Sequence, residues 1–154
     1  MDTVNWEQTL VRIFPRLSSE GLRIVEEETN QYNCIAYAVG DKNTWWWPNK
    51  AEFFWPPWSI SDTKIESLEQ VFDGLGYEKC EDHSLETGYE KVALYEKQGL
   101  FTHASLQMAS GHWRSKLGIG PLIEHLCPES LTSEVYGKPT IIMRRHSSYS
   151  LNPE

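Results

Sequence analysis

Five of the chain's seven tryptophans lie within residues 45–58, with Pro48, Pro56 and Pro57 among them. Proline lacks an amide hydrogen and clashes with a preceding helical turn, so residues 41–60 cannot form a regular helix. The aromatic residues there follow no clean period either. The segment must be a long loop whose rings lie against apolar surface. Long ordered loops in compact domains commonly carry function. Two readings of the rings stay open: filler beneath the loop, or walls of a substrate groove.

Just before it stands Gln31-Tyr32-Asn33-Cys34-Ile35-Ala36-Tyr37-Ala38-Val39-Gly40. A cysteine is followed by small and apolar residues, and Gly40 stops the run. The pattern predicts a loop that turns into a short buried helix with Cys34 in its first turn. First-turn amides have no intrahelical acceptor, and the helix dipole adds partial positive charge there. Both favour a thiolate, so the expected thiol has a lowered pKa and raised nucleophilicity. The competing reading is a free cysteine acting as a small buried apolar residue.

The flanks supply the scaffold. Trp6, Leu10, Val11, Ile13, Phe14 and Leu17 fit an amphipathic helix ending near Pro15. Residues 22–25 suit a strand or a helical turn. Ser61 reads as the N-cap of a helix carrying Ile65, Leu68, Val71, Phe72 and Leu75. Residues 77–88 read as a polar connection. Strands are expected over 90–96, 102–108, 112–117 and 140–144, with a short helix over 122–126. Helices first and an antiparallel sheet after give an α+β fold with helices on one face. The expected layout is one domain over residues 1–146 and a flexible tail over 147–154.

Composition narrows the partners. The net charge of −8 repels nucleic-acid backbones and anionic membranes, and no lysine or arginine cluster offsets it. No apolar run approaches the ~20 residues of a membrane span, and no signal-peptide pattern opens the chain. Cys34, Cys80 and Cys127 are an odd number without CxxC spacing, so neither a disulfide framework nor a structural zinc site is signalled. Cys80 and His83 alone make a weak metal signal. The expectation is a cytoplasmic protein with no cofactor and no metal.

A cysteine nucleophile needs a base, and the base needs an orienting group. His103 fits best, because it opens a strand between the small residues Thr102 and Ala104. His112, His125 and His146 read as surface histidines.

Asn33-Cys34-Ile35-Ala36, then Thr102-His103-Ala104, then Gly111-His112-Trp113 and Ser115-Lys116-Leu117-Gly118, resemble the papain-like cysteine fold of NlpC/P60-type peptidases and effector deamidases. The chain also looks like a family of small uncharacterised bacterial proteins that share these motifs and the tryptophan run. The papain-like resemblance implies a cysteine helix packed on a small antiparallel sheet. It puts Cys34 at the nucleophile position, His103 at the base position and Ser115 at the orienting position. Ser115 lacks the charge or carboxamide usual there, and Gln107 is an alternative. Gln31 or Asn33 would complete an oxyanion site with the Cys34 amide. Trp45, Trp46, Trp47 and Lys116 would border the substrate. The implied activity is thiol-dependent acyl transfer on an amide or thioester of a peptide or protein, preferably basic. The other reading is an inactive binding or immunity module that docks a protein partner through the tryptophan loop.

Overall fold

The computed structural model describes residues 5–19 and 21–147. In chain order they form α1 (Trp6–Ile13), β1 (Arg23–Glu26), α2 (Cys34–Val39), α3 (Ile65–Gly74), β2 (Glu78–Cys80), β3 (Tyr89–Lys97), β4 (Leu100–Gln107), β5 (Trp113–Lys116), β6 (Leu122–His125) and β7 (Lys138–His146). Pro128–Leu131 adds a single 3-10 turn. The strands make one antiparallel sheet in the order β1-β6-β5-β4-β3-β7-β2. The α+β class is the one the sequence pattern predicts, with seven strands where four were legible.

Side chains alternate faces along a strand, and both faces of this sheet are covered. Val92 and Leu94 of β3, with Ala104 and Met143, pack against Ile35, Ala36, Leu68, Val71 and Phe72 of α2 and α3. Ala93 and Tyr95, with Trp113 and Ile123, pack against Leu10, Phe14 and Leu17. The helices therefore do not share one face: α1 and the residues after it seal the second.

Residues 122–125 are a strand, where a helix was expected. Leu122 and Ile123 are both fully buried, and a short run apolar on both sides has no period that separates strand from helix. Gly120-Pro121 closes a hairpin turn, with the Leu117 amide on the Pro121 carbonyl (3.1 Å), instead of opening a helix. The α3 cap also differs. Lys64 occupies the N-cap without a side-chain bond, and the Asp62 carboxylate takes the Lys64 amide (3.1 Å) and the Ser67 hydroxyl. Ser61 has no part in it. Residues 78–80, read as part of a polar connection, are the edge strand β2, and residues 23–26 resolve to strand. His146, read from sequence as a surface histidine, ends β7 against the Tyr89 ring at 4.6 Å. Ser147 donates its amide to the Gly88 carbonyl (2.9 Å), and residues 148–154 lie outside the described residues.

The tryptophan loop is ordered by backbone pairing. The Trp47 amide meets the Phe54 carbonyl (3.0 Å), and the Phe54 amide meets the Trp45 carbonyl (3.1 Å). Trp55 stacks on Phe101 with centroids 5.7 Å apart, and Trp47 meets the same ring edge-on at 5.0 Å. Trp46 and Trp55 are buried.

A tight turn before β7 carries Tyr136. Ser133 and Gly137 close it by exchanging both backbone hydrogen bonds (2.9 and 2.8 Å). Gly137 has φ +69°, and a Cβ there would fall 2.0 Å from the Glu96 carbonyl oxygen. Gly137→Ala is expected to cost about 2 kcal/mol or more, from left-handed strain plus the clash with the β3 backbone. A urea midpoint equal to that of the unchanged chain would contradict this.

Candidate active site

Asn33 builds the local frame. Its side-chain oxygen caps α2 by accepting the Ala36 amide (3.2 Å), and accepts the Trp46 amide as well (3.1 Å). Its Nδ2 donates to the Trp46 carbonyl (2.7 Å). One buried carboxamide thus fixes the start of the cysteine helix and pins the tryptophan loop over it. That commitment takes Asn33 out of the expected oxyanion role. Gln31 is exposed and does not line the pocket beside Cys34, so it does not fill that role either.

Cys34 is the first residue of α2 and is 6% exposed. It lies in the wall of a pocket of about 370 Å³, with Asn33, Trp45, Trp47, Phe53, Thr102, Gly118 and Tyr136. Burial pushes its thiol up to about 11. The backbone amides of Ala104, Ile35 and Cys34 face the sulfur and pull the other way, as does the charge of Lys116. The lowered pKa predicted from helix position is therefore reversed. A six-residue helix has a weak dipole, and desolvation of a buried anion outweighs it. At neutral pH this residue is a thiol.

The sulfur reaches the strand of His103 but not its ring. Ala104, whose amide faces the sulfur, belongs to the core on the α2 side. His103 alternates to the other face and pairs across from Tyr95, with ring centroids 5.0 Å apart. Its imidazole stacks on Tyr136 at 4.2 Å and 12°. It is fully buried, and neither ring nitrogen has a hydrogen-bond partner among the described residues. Burial, with nearby His125 adding to it, holds it well below the ordinary histidine range, so the ring is neutral.

Ser115 does not orient His103. Its hydroxyl donates to His125 Nε2 (2.8 Å), while His125 Nδ1 donates to the Cys127 carbonyl (2.8 Å). His125, read from sequence as a surface residue, is fully buried. Gln107 donates to the His83 carbonyl (3.1 Å), so it is no orienter either. His112 faces Glu124 and is partly exposed, in keeping with a turn-edge residue.

Lys116 alternates to the cysteine side of the sheet. It is fully buried, with Nζ donating to the carbonyls of Thr29 (2.6 Å) and Gly118, and it lies 5.1 Å from the Tyr32 ring centre. Trp45 and Trp47 line the pocket beside Cys34. Trp46 does not: it is core, and its indole N–H donates to Asp41 (2.9 Å).

Cys80 and His83 take separate partners. The thiol donates to the Asp82 carbonyl (3.5 Å), and His83 pairs with Glu129 (3.2 Å). Among the described residues no helix is long and apolar enough to cross a membrane.

Sequence reasoning missed Thr102, Gly118 and Tyr136 as pocket lining and had Phe53 only among the rings of the tryptophan loop. For Tyr136 the only available signal was an aromatic residue just before a glycine in an otherwise polar loop. No curated protein and no solved structure matches the chain. A family model does match, over residues 23–144, which spans every residue of the pocket and all seven strands but the last two residues of β7. The chain therefore belongs to the family described as "Domain of unknown function (DUF7689)".

Proposed function

We propose that the chain is a thiol-dependent acyl-transfer enzyme of papain-like type, in which Cys34 attacks the carbonyl of an amide or thioester. The observation that carries this is the sulfur's placement: in the wall of an aromatic pocket, faced by the Ala104 and Ile35 amides. Those amides are donors for the oxyanion that forms as the carbonyl is attacked. The S–C bond forms while the thiol proton passes to a base. The leaving amine or thiolate takes that proton, and water then cleaves the acyl–sulfur bond.

Because the sulfur is a thiol at neutral pH, its proton must leave during attack. His103 is the base of this reading, being neutral, one residue from the Ala104 amide and without partners on either nitrogen. Tyr136 stacks on its ring and also lines the pocket, and His103 points to the other face of the sheet, so this reading requires both Tyr136 and the His103 side chain to move before the ring meets the sulfur. The pocket offers aromatic walls and no charged side chain, which suits an apolar or uncharged acyl group of a peptide or protein. A basic group on the substrate would meet the acidic surface outside it.

A second reading, an inactive binding or immunity module, draws on Phe54, Trp58 and Ile60. These are 42%, 47% and 60% exposed and lie in or just after the tryptophan run.

The test is incubation with a peptide thioester carrying an aromatic acyl residue, followed by intact-protein mass spectrometry. The acyl group should appear on Cys34, then decay as water completes the cycle. His103→Ala should slow its appearance about tenfold or more. A Cys34 that gains no acyl group, while Cys80 or Cys127 does, sinks the proposal. Partner binding retained by Cys34→Ala would then favour the second reading.

A further inference from the structure

Helix α2 is too short to cover its side of the sheet. It ends after six residues, about 9 Å, at Gly40, whose left-handed backbone (φ +95°) turns the chain away. Beyond that point the sheet carries Leu106, with Arg114 paired across from it on β5, and Leu122 on β6. The space left there is a cavity of about 230 Å³, at the other end of α2 from Cys34. Leu106, Met108 and Leu122 give it an apolar floor, and the last two are buried. It shares no lining residue with the pocket beside Cys34.

The walls are charged, and the charges do not balance. Two cations line the cavity, Lys42 and Arg114, against one carboxylate, Glu26. Glu26 is already met by the Lys42 ammonium (2.5 Å) and the Tyr32 hydroxyl (2.9 Å). Arg114 donates from Nε to Glu124 (3.0 Å) and also bonds to the Tyr37 hydroxyl. Glu124 is shared, because Arg23 takes the same oxygen (3.3 Å) and His112 faces the other (3.4 Å). One carboxylate does not neutralise two guanidiniums. Asp41, beside Lys42 in sequence, turns its carboxylate to the Trp46 indole (2.9 Å) and the Asn43 amide (2.8 Å). Positive charge is therefore left over at this one place in a chain of net charge −8.

We infer that the cavity binds a small apolar monocarboxylate, its carboxylate between Lys42 and Arg114 and its hydrocarbon on the leucine and methionine floor. A guanidinium has more N–H donors than the two bonds of Arg114 use, and its fork matches a carboxylate. Arg114 is mostly buried, so an anion beside it gains more than it would at open surface. The volume lies below the roughly 300–1,000 Å³ of sites for drug-sized ligands, which restricts the occupant to a compact acid. The acidic surface around the cavity works against polyanions, so a single negative charge fits best. A neutral ligand would leave the surplus charge unmet.

The test is amide NMR of the full chain, titrated at pH 7.5 with phenylacetate and with 4-methylpentanoate. At least one should saturate with a Kd below about 1 mM, the amides of Gly40, Lys42 and Arg114 moving most. The matching neutral amides, phenylacetamide and 4-methylpentanamide, should bind about tenfold more weakly or worse. Lys42→Met and Arg114→Gln should each raise the Kd about tenfold. The Lys42 side chain is half-exposed, so its replacement leaves the fold intact. If Arg114→Gln does not fold, Lys42→Met and the neutral amides decide. No saturation by either acid up to about 10 mM overturns the inference, as does a neutral amide that binds as tightly as its acid. Shifts gathered at Trp47 and Gly118 would put the acid in the Cys34 pocket and overturn it too. Because the two cavities have separate linings, binding here stands or falls independently of acyl transfer at Cys34.

Discussion

Asn33→Ala is expected to destabilise the chain by roughly 3–7 kcal/mol and to release the tryptophan loop. Three terms add. Loss of a helix cap costs about 1 kcal/mol. The Trp46 amide and carbonyl each lose their partner, and an unpaired buried backbone group costs about 1–3 kcal/mol. A domain of this size has about 5–15 kcal/mol in total, so the variant sits near its folding threshold. Asn33→Asp keeps the acceptor oxygen but sets a carboxylate oxygen against the Trp46 carbonyl where Nδ2 donated, so it should also be clearly less stable than the unchanged chain. Urea unfolding gives the energies. Tryptophan emission in the folded baseline should shift to the red for Asn33→Ala, as indoles now packed in the core meet water. A variant with an unshifted midpoint and emission would show that the loop holds itself, and the frame assigned to Asn33 would be wrong.

The same residue shows where the sequence could be read and where it could not. Asn33 before a small apolar run is a local cap signal, and α2 with its Gly40 stop is where the pattern places it. Its bonds to Trp46, thirteen residues on, are tertiary and leave no mark in spacing. The α3 face and the β3–β4 hairpin were legible because each is periodic and bounded by turn residues. Strand β6 was not, because burial on both sides erases the alternation that marks a strand. The site divides in the same way. That Cys34 would meet the strand at 102–104 follows from a helix packing on a sheet. That the meeting partner is the Ala104 amide, with His103 facing away, depends on a one-residue register no local pattern fixes. The direction of the Cys34 shift failed for a related reason: dipole arguments are local, while desolvation depends on everything packed around the sulfur. Lys116 was noted for its position but not for its burial, since a lysine in a strand reads as surface until the far side is known.

Stability should fall as pH drops below 6.5, before the carboxylates titrate. The cause is the pair of buried histidines. In the folded chain burial holds His125 down to about 4, and His103 is also well below 6.5. Unfolded, both return to about 6.5 and bind protons below that pH. The unfolded state thus takes up protons that the folded state refuses, so the folded state loses ground as pH falls. For His125 the loss runs from about 6.5 to about 4 and totals roughly 3 kcal/mol, at 1.36 kcal/mol per unit. His103 adds to it in the same direction. The paired carboxylates Glu26 and Glu124 are held below 4.5, so their contribution is lost only at lower pH, and the window from 6.5 to 5 isolates the histidines. Urea midpoints at pH 7.5, 6.5, 5.5 and 5.0 would trace the slope. His103→Phe then distinguishes the two rings. It keeps a flat ring on Tyr136, removes two unpartnered nitrogens and should be at least as stable as the unchanged chain at pH 7.5. It should also remove the His103 share of the slope. The same variant should lose acyl transfer if His103 is the base, so stability held and chemistry lost would mark a residue the fold retains at its own cost. A flat profile from pH 7.5 to 5.0 would mean that these imidazoles reach water in the folded chain, and the sealed second face of the sheet would have to be redrawn.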